Sequence, residues 1–426
     1  MSSKAPVEIW HTILKYSISV PLFFDPDPVE TYGIDILRKY SYEAPYWDSE
    51  RTRNALRRVC YGWNHILKVY NHRFIRLYDV LHGRVPITAL PFAIRLDLDD
   101  SYGCQCPLCV FRGGDCWIEI EKIWKNAPFS SQDEANTQAV PITWKVEIIK
   151  GWIPEDAGYC SILKQRAPNL KAMISQTPGA LPYSADLPPT LRLFMTDLNE
   201  SQDIFEVTGM NYITTLHLAM DSLEMPIAKE VLPCLRHLSI DSNYYTNDYT
   251  NIAIPQRDVC HFLEHIGSQL QTFHLRDRLV SVPIELHLWD ILPTVERLQL
   301  PYSWVECQVP PNHPVQTIQI SVGAILSVER ASHIREDIAH LFLPFSSKHN
   351  WVLRMDTTWG EELFTRLRES VVMIDEYYKA RMVQFMDSNG ESLDQYIVFL
   401  ITSFWKRQGR PYRKILARSD YGTAHF

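Results

Sequence analysis

Glycine is scarce in this sequence, with 16 in 426 residues, and none falls in a pattern that would cradle a phosphate or a dinucleotide. The G-x-x-x-x-G-K-[ST] loop, the glycine-rich dinucleotide fingerprint, the G-x-S-x-G elbow and H-E-x-x-H are all missing. No catalytic residue is therefore assigned, and the chain reads as a non-enzyme. Long apolar runs are missing too: YIVFLITSFW at 396–405 is about half of what spans a bilayer. Near the start, Glu8, His11 and Lys15 interrupt the apolar stretch that a secretory signal needs. Positive charge is in deficit, with 42 basic against 50 acidic residues and a net charge of -8, which disfavours nucleic acid or an anionic membrane as a partner of the whole surface. Cysteines number nine, an odd count, and Cys60, Cys160, Cys234, Cys260 and Cys307 sit in apolar segments where a small buried thiol is ordinary. That usage suits a reducing compartment. The expectation is a soluble intracellular protein, cytoplasmic and/or nuclear, with no membrane partner.

What is present is the composition of a folded protein, 46% hydrophobic and 12% aromatic, in a chain too long for one ordinary compact core. Three regions separate by pattern. Residues 6–18 place Trp10, Ile13, Leu14 and Ile18 at helical spacing behind a proline tolerated in a first turn. VPLFFDPDPVETYG (20–33), with three prolines and three acids, reads as a loop. After Asp48 or Ser49, either able to cap a helix, Leu56, Val59, Cys60, Trp63, Ile66, Leu67 and Tyr70 predict one long amphipathic helix.

The body is repetitive. LKAMIS, LRLFMT, ITTLHL, LRHLSI, LQTFHL, VERLQL and VQTIQI begin at residues 170, 191, 213, 235, 270, 295 and 315. Apart from the gap between 235 and 270, which holds the polar SNYYTNDYTNIAIPQ (242–256), these starts lie 20 to 25 residues apart. That period is the one of leucine-rich repeats, in which each unit gives one short strand and a return segment and is stable only when stacked on its neighbours. Pro168, Pro189, Pro233, Pro293 and Pro314 suit strand entries. The asparagine that ladders inside regular leucine-rich arrays is missing, so the expectation is an irregular, leucine-rich-repeat-like solenoid. WVLRMD (351–356) reads as one more strand and LDQYIVFLITSFWKR (393–407) as a closing helix.

APVEIWHTIL (5–14) followed by LRRVCYGWNHIL (56–67) resembles the F-box, whose pattern is a Leu-Pro-x-Glu-Ile/Leu start and a closing Val-Cys-x-x-Trp helix. With SVPLFFDPDP between them and FIRLYDVLHGRVPITAL after, the first 90 residues or so are similar to fungal F-box-like proteins. The resemblance implies an α/β chain with two parts: an N-terminal α-helical F-box-like domain over 1–85, with an inserted loop at 20–48, and a leucine-rich-repeat-like solenoid with a C-terminal cap over 86–426. It implies a substrate-recruiting subunit of an SCF-type ubiquitin ligase, a complex of Skp-type adaptor, cullin and F-box protein. By position, Pro6, Ile9, Ile13, Val59, Cys60 and Trp63 would dock on the adaptor, and the body would hold a protein substrate. Two or three helices this small carry more apolar side chain than they can bury among themselves. The rival reading is an interaction scaffold outside any ligase.

On the strands of the body, alternation sends Thr215, His217, His237, Ser239, Thr272, His274, Arg297, Gln299, Thr317 and Gln319 to the face opposite the apolar one. Of these, His217, His237, Ser239, His274, Arg297 and Gln299 are the expected substrate-binding set. Cys104, Cys106, Cys109 and Cys116, four thiols within 13 residues, have the chemistry of a closed structural zinc site, although their spacing matches no usual finger and a reduced cysteine-rich hairpin is the plainer reading. No other cofactor is expected. LDLDD (96–100) reads as a solvated strand end, and KRQGRPYRK (406–414) as a mobile basic terminus.

Overall fold

The computed structural model of the protein describes residues 7–40, 42–81, 83–98, 143–151, 164–178, 187–198, 210–220, 229–242, 256–276, 288–301, 309–310, 312–321, 350–354, 375, 379, 383–387 and 390–398. Two compact units divide the chain. The first comprises Met1–His274 with Asp290–Pro293, and the second Leu275–Trp289 with Thr294–Phe426.

The first unit opens with helices: α1 (Val7–Ser17), α2 (Pro21–Phe24), α3 (Pro28–Tyr32), α4 (Leu37–Tyr40), α5 (Ala44–Arg57) and α6 (Tyr61–Lys68). Strands β1 (Phe74–Arg76), β2 (Arg95–Asp97), β3 (Ile148–Lys150), β4 (Ala172–Pro178), β5 (Leu193–Leu198), β6 (Thr215–Met220) and β7 (His237–Ser242) follow, and β8 (Thr272–Arg276) begins in this unit, which ends at His274. From β1 to β7 each strand pairs in parallel with the next in chain order. Backbone bonds from Gln271 and Thr272 N–H to the Arg236 carbonyl bring β8 beside β7. The register places Arg95, Ile148, Ala172, Leu193, Thr215 and His237 in one row across the sheet. Because side chains alternate along a strand, Leu96, Ile149, Met173, Phe194, Leu216 and Leu238 point the other way, and all six are buried.

The first row is buried as well, and this corrects the expected fold. The chain is an α/β fold on an all-parallel sheet, not an α-helical F-box-like domain followed by a leucine-rich-repeat-like solenoid. Such a solenoid leaves its polar strand face open to solvent, whereas here helices cover it, as parallel sheets buried on both faces require. Val29, Ile34, Leu37 and Tyr40 from α3, α4 and the turn between them are buried in one cluster with Ile148, Ala172, Ile174 and Leu193 of β3 to β5. Phe23 and Tyr46 are buried against Phe74 of β1. The fully buried Arg95 of β2 donates to the Phe23 carbonyl at 2.9 Å, and its guanidinium lies 4.0 Å from the centre of the Phe23 ring. These helices therefore have their core on the sheet, and no separate N-terminal helical domain exists.

Two local readings are corrected too. Neither 20–33 nor the insertion at 20–48 is a loop: Pro21 and Pro28 start α2 and α3, at the positions where a missing N–H costs nothing, and α4 and the start of α5 follow. Gly33, at φ 82° and ψ 164°, turns the chain after α3. The long second helix is two helices, because Cys60 is extended and caps α6 by accepting the Trp63 N–H on Sγ at 3.4 Å. The seven repeated segments do form strands, but β1 to β3, three residues each, match none of them. Asp97, expected in solvent, is buried and lies 3.4 Å from Lys150 Nζ.

The second unit contains β9 (Arg297–Pro301), β10 (Thr317–Ser321), β11 (Asn350–Arg354) and β12 (Gln384–Met386), again parallel and in chain order. Val383, Phe385, Leu393 and Tyr396 are buried. Residues 393–398 are helical, as the closing segment was expected to be, and Lys379 Nζ lies 2.7 Å from both Asp375 and Asp394.

Candidate functional site

Two surfaces gather the residues that the sequence singles out. The first is built by α1 and α6. Leu14, Ile18 and Leu67 form a small buried core between these helices, with Leu56, Trp63, Ile66 and Tyr70 packed around it. Trp10 and Trp63 touch, their ring centroids 5.3 Å apart. That core uses one side of α1 only. Ile9, Ile13 and Tyr16, at helical spacings of four and three, remain 48%, 47% and 84% exposed, and Val7 is 69% exposed. At the corner between α5 and α6, Val59 and Tyr61 are 61% and 85% exposed.

Beneath this apolar skin lies a buried polar lattice that fixes the angle of the helices. Ser49 Oγ of α5 donates to the Ile18 carbonyl at 2.7 Å, and Arg73 donates to the same carbonyl at 3.2 Å. Glu50 accepts from Arg53 at 2.8 Å and from Arg73 at 3.0 Å, while Arg57 donates to Asn64 of α6 at 2.8 Å. A buried charge is tolerated only when paired and hydrogen-bonded, and Glu50 has two arginines. The exposed apolar side chains stand on a scaffold held this firmly, in water and without freedom to collapse inward.

Of the residues predicted to meet an adaptor, Ile9, Ile13 and Val59 are exposed, Cys60 is the exposed cap of α6, and Trp63 is half-buried against Trp10. Pro6 lies outside the described residues. Val7, Trp10, Tyr16 and Tyr61 were missed as surface groups. For the three on α1 the signal was the helix itself, whose apolar residues at 7, 9, 10, 13, 14 and 16 are too many for one inward stripe.

The second surface is the covered strand face of the first unit. His237, Ser239 and His274 lie on it and are buried, and His217 is half-buried. His237 Nδ1 is 3.1 Å from Thr272 Oγ1 and its Nε2 is 3.2 Å from Glu30 Oε1. His274 Nδ1 lies 3.7 Å from Asp35. In the second unit Gln299 is buried and Arg297 exposed, both on β9. Burial, together with the neighbouring Glu30 and Asp25, pushes the Asp27 carboxyl up to about 6. Near β1, hydrogen bonds from Arg76 and Trp47 outweigh burial and hold Glu43 below its usual value.

Cys104, Cys106, Cys109 and Cys116 lie outside the described residues, as does the basic run 406–414. Among the described residues no group of three or more metal-ligating side chains comes together, and no helix is long and apolar enough to cross a membrane. Compared with protein-family models and with curated proteins, the chain matches none.

Proposed function

We propose that this protein is a substrate receptor of an SCF-type ubiquitin ligase: the apolar surface of α1 and the α5–α6 corner docks on a Skp-type adaptor, and the α/β body holds a protein substrate. The exposed row Ile9, Ile13 and Tyr16, joined to the corner at Val59 and Tyr61 through the Trp10–Trp63 pair, carries the reading. Aliphatic and aromatic side chains around a half-buried tryptophan are the composition of an interface centre. The role asks for a surface, not for a helical domain of its own, and the sheet beneath supplies the rigidity. Ubiquitin transfer falls to other chains, so no catalytic group is needed here. The free thiols Cys60, Cys234 and Cys260 fit a reducing, intracellular setting, cytoplasmic and/or nuclear.

The test is co-expression of the full chain with a Skp-type adaptor and size-exclusion chromatography of the product. Ile13→Asp/Val59→Asp changes two exposed positions, so circular dichroism is expected to match the wild type. Co-elution of the wild type and loss of the complex in the variant, with affinity down about 100-fold or more, is the expected result. Wild-type chain that is folded and elutes alone would overturn the adaptor reading.

A further inference from the structure

Residues 21–40, comprising α2, α3, the turn at Gly33 and α4, form a strap across the strand face of the first unit. Its two edges are chemically unlike. Toward β3 to β5 it is apolar: Val29, Ile34, Leu37 and Tyr40 are buried there with Ile148, Ala172, Ile174 and Leu193. Toward β5 to β8 it is acidic. Glu30 Oε1 lies 3.2 Å from His237 and 3.9 Å from Arg236, and Asp35 lies 3.7 Å from His274.

The two edges also differ in how firmly they hold. Burying four large apolar side chains is worth several kilocalories, so the apolar edge is an anchor. The Glu30 and Asp35 side chains keep 46% and 35% of their surface in water, so either carboxylate can turn outward into full solvation. The histidines beneath them are nearly inaccessible, at 6% and 4% for the His237 and His274 side chains. His237 and His274 are thus covered by the two strap carboxylates that already lie partly in water, and Arg236, 55% exposed, stands at their rim.

We propose that Arg236, His237 and His274 form a docking site for an acidic, extended segment of a protein partner, and that the Glu30 and Asp35 carboxylates are its built-in occupants, turned out into water when the partner binds while Val29 and Ile34 stay anchored. The site deepens the receptor reading by naming the chemistry of the protein held. Its test uses the chain alone, so failure of adaptor docking and failure of this site are told apart.

The probe is a fluorescent peptide of the chain's own residues 24–36, FDPDPVETYGIDI, titrated with the full-length protein and read by anisotropy. Wild-type protein is expected to bind weakly, because the site is filled in cis. Glu30→Gln/Asp35→Asn, or Glu30→Gln alone should the double variant fail to fold by circular dichroism, is expected to bind about tenfold more tightly, since the competent state is no longer taxed by its occupant. Adding Arg236→Glu is expected to abolish the gain, and a peptide with its four acids amidated to Asn and Gln is expected not to bind. A folded variant that binds no more tightly than the wild type, or equal binding of the neutral peptide, would overturn the proposal.

Discussion

Asp27 sits at the start of α3 between two other acids, and its carboxyl is half-buried. In the folded chain its pKa is about 6 against an ordinary 3.8, so the folded state binds this proton more tightly than the unfolded one. By linkage, stability contributed at this residue falls as pH rises from about 4 to about 6, and above that the ionised form carries its full penalty. Asp27→Asn should then be more stable than the wild type at pH 7.5, by on the order of 1 kcal/mol once solvent screening is allowed for. The difference should close below pH 4, where both states of the wild type are protonated. Urea midpoints at the two pH values measure it, and a gap that did not change with pH would remove burial of the charge as its cause. Arg95 shows the opposite solution to the same problem. Burial lowers the pKa of its guanidinium, yet the charge is kept over the Phe23 ring, with the Tyr40 ring centre 5.0 Å away, because both aromatic faces attract it.

At the scale of elements, the strap depends on one backbone position. Gly33 has φ 82° and ψ 164°, a combination essentially closed to residues with a Cβ, and it turns α3 into the segment that carries Ile34 and Asp35 down to the sheet. Gly33→Ala should cost about 2 kcal/mol, read as a lower thermal midpoint. The comparison is Gly62→Ala in α6, where an added Cβ meets nothing within 4 Å and the midpoint should hold or rise slightly. These elements also mark where the sequence was legible. Strands β4 to β10 announced themselves through alternation repeated at a steady interval. β1 to β3 did not, because three residues give alternation no room, and Asp97 reads as solvated until its partner is known. The prolines of 20–33 looked like loop punctuation, and two of the three, Pro21 and Pro28, instead open helices. On α1 the inward side was legible from its spacing, and Ile9 and Ile13 were placed by the resemblance. What no local pattern could tell was the cover on the strand face, since His237 meets a residue 207 positions earlier. Its polar neighbours were therefore read as an open surface.

At the scale of the whole molecule, the helices of the first unit and the strands they cover fold as one piece. Residues 1–85 expressed alone should fail to fold: without β3 to β5, the side chains of Val29, Ile34, Leu37 and Tyr40 have nothing to cover. Circular dichroism and urea titration of that fragment check this, and a cooperative transition would show that the helices can stand by themselves. The long reach of the strap has one more consequence, for synthesis. The ribosome makes Glu30 first and His237 207 residues later, which at about 5–20 residues per second is a wait on the order of tens of seconds. Until β3 to β5 follow, an apolar, aromatic stretch is outside the exit tunnel with its seat not yet translated, so the nascent chain is a client for a holding chaperone well before it can be a receptor for anything else.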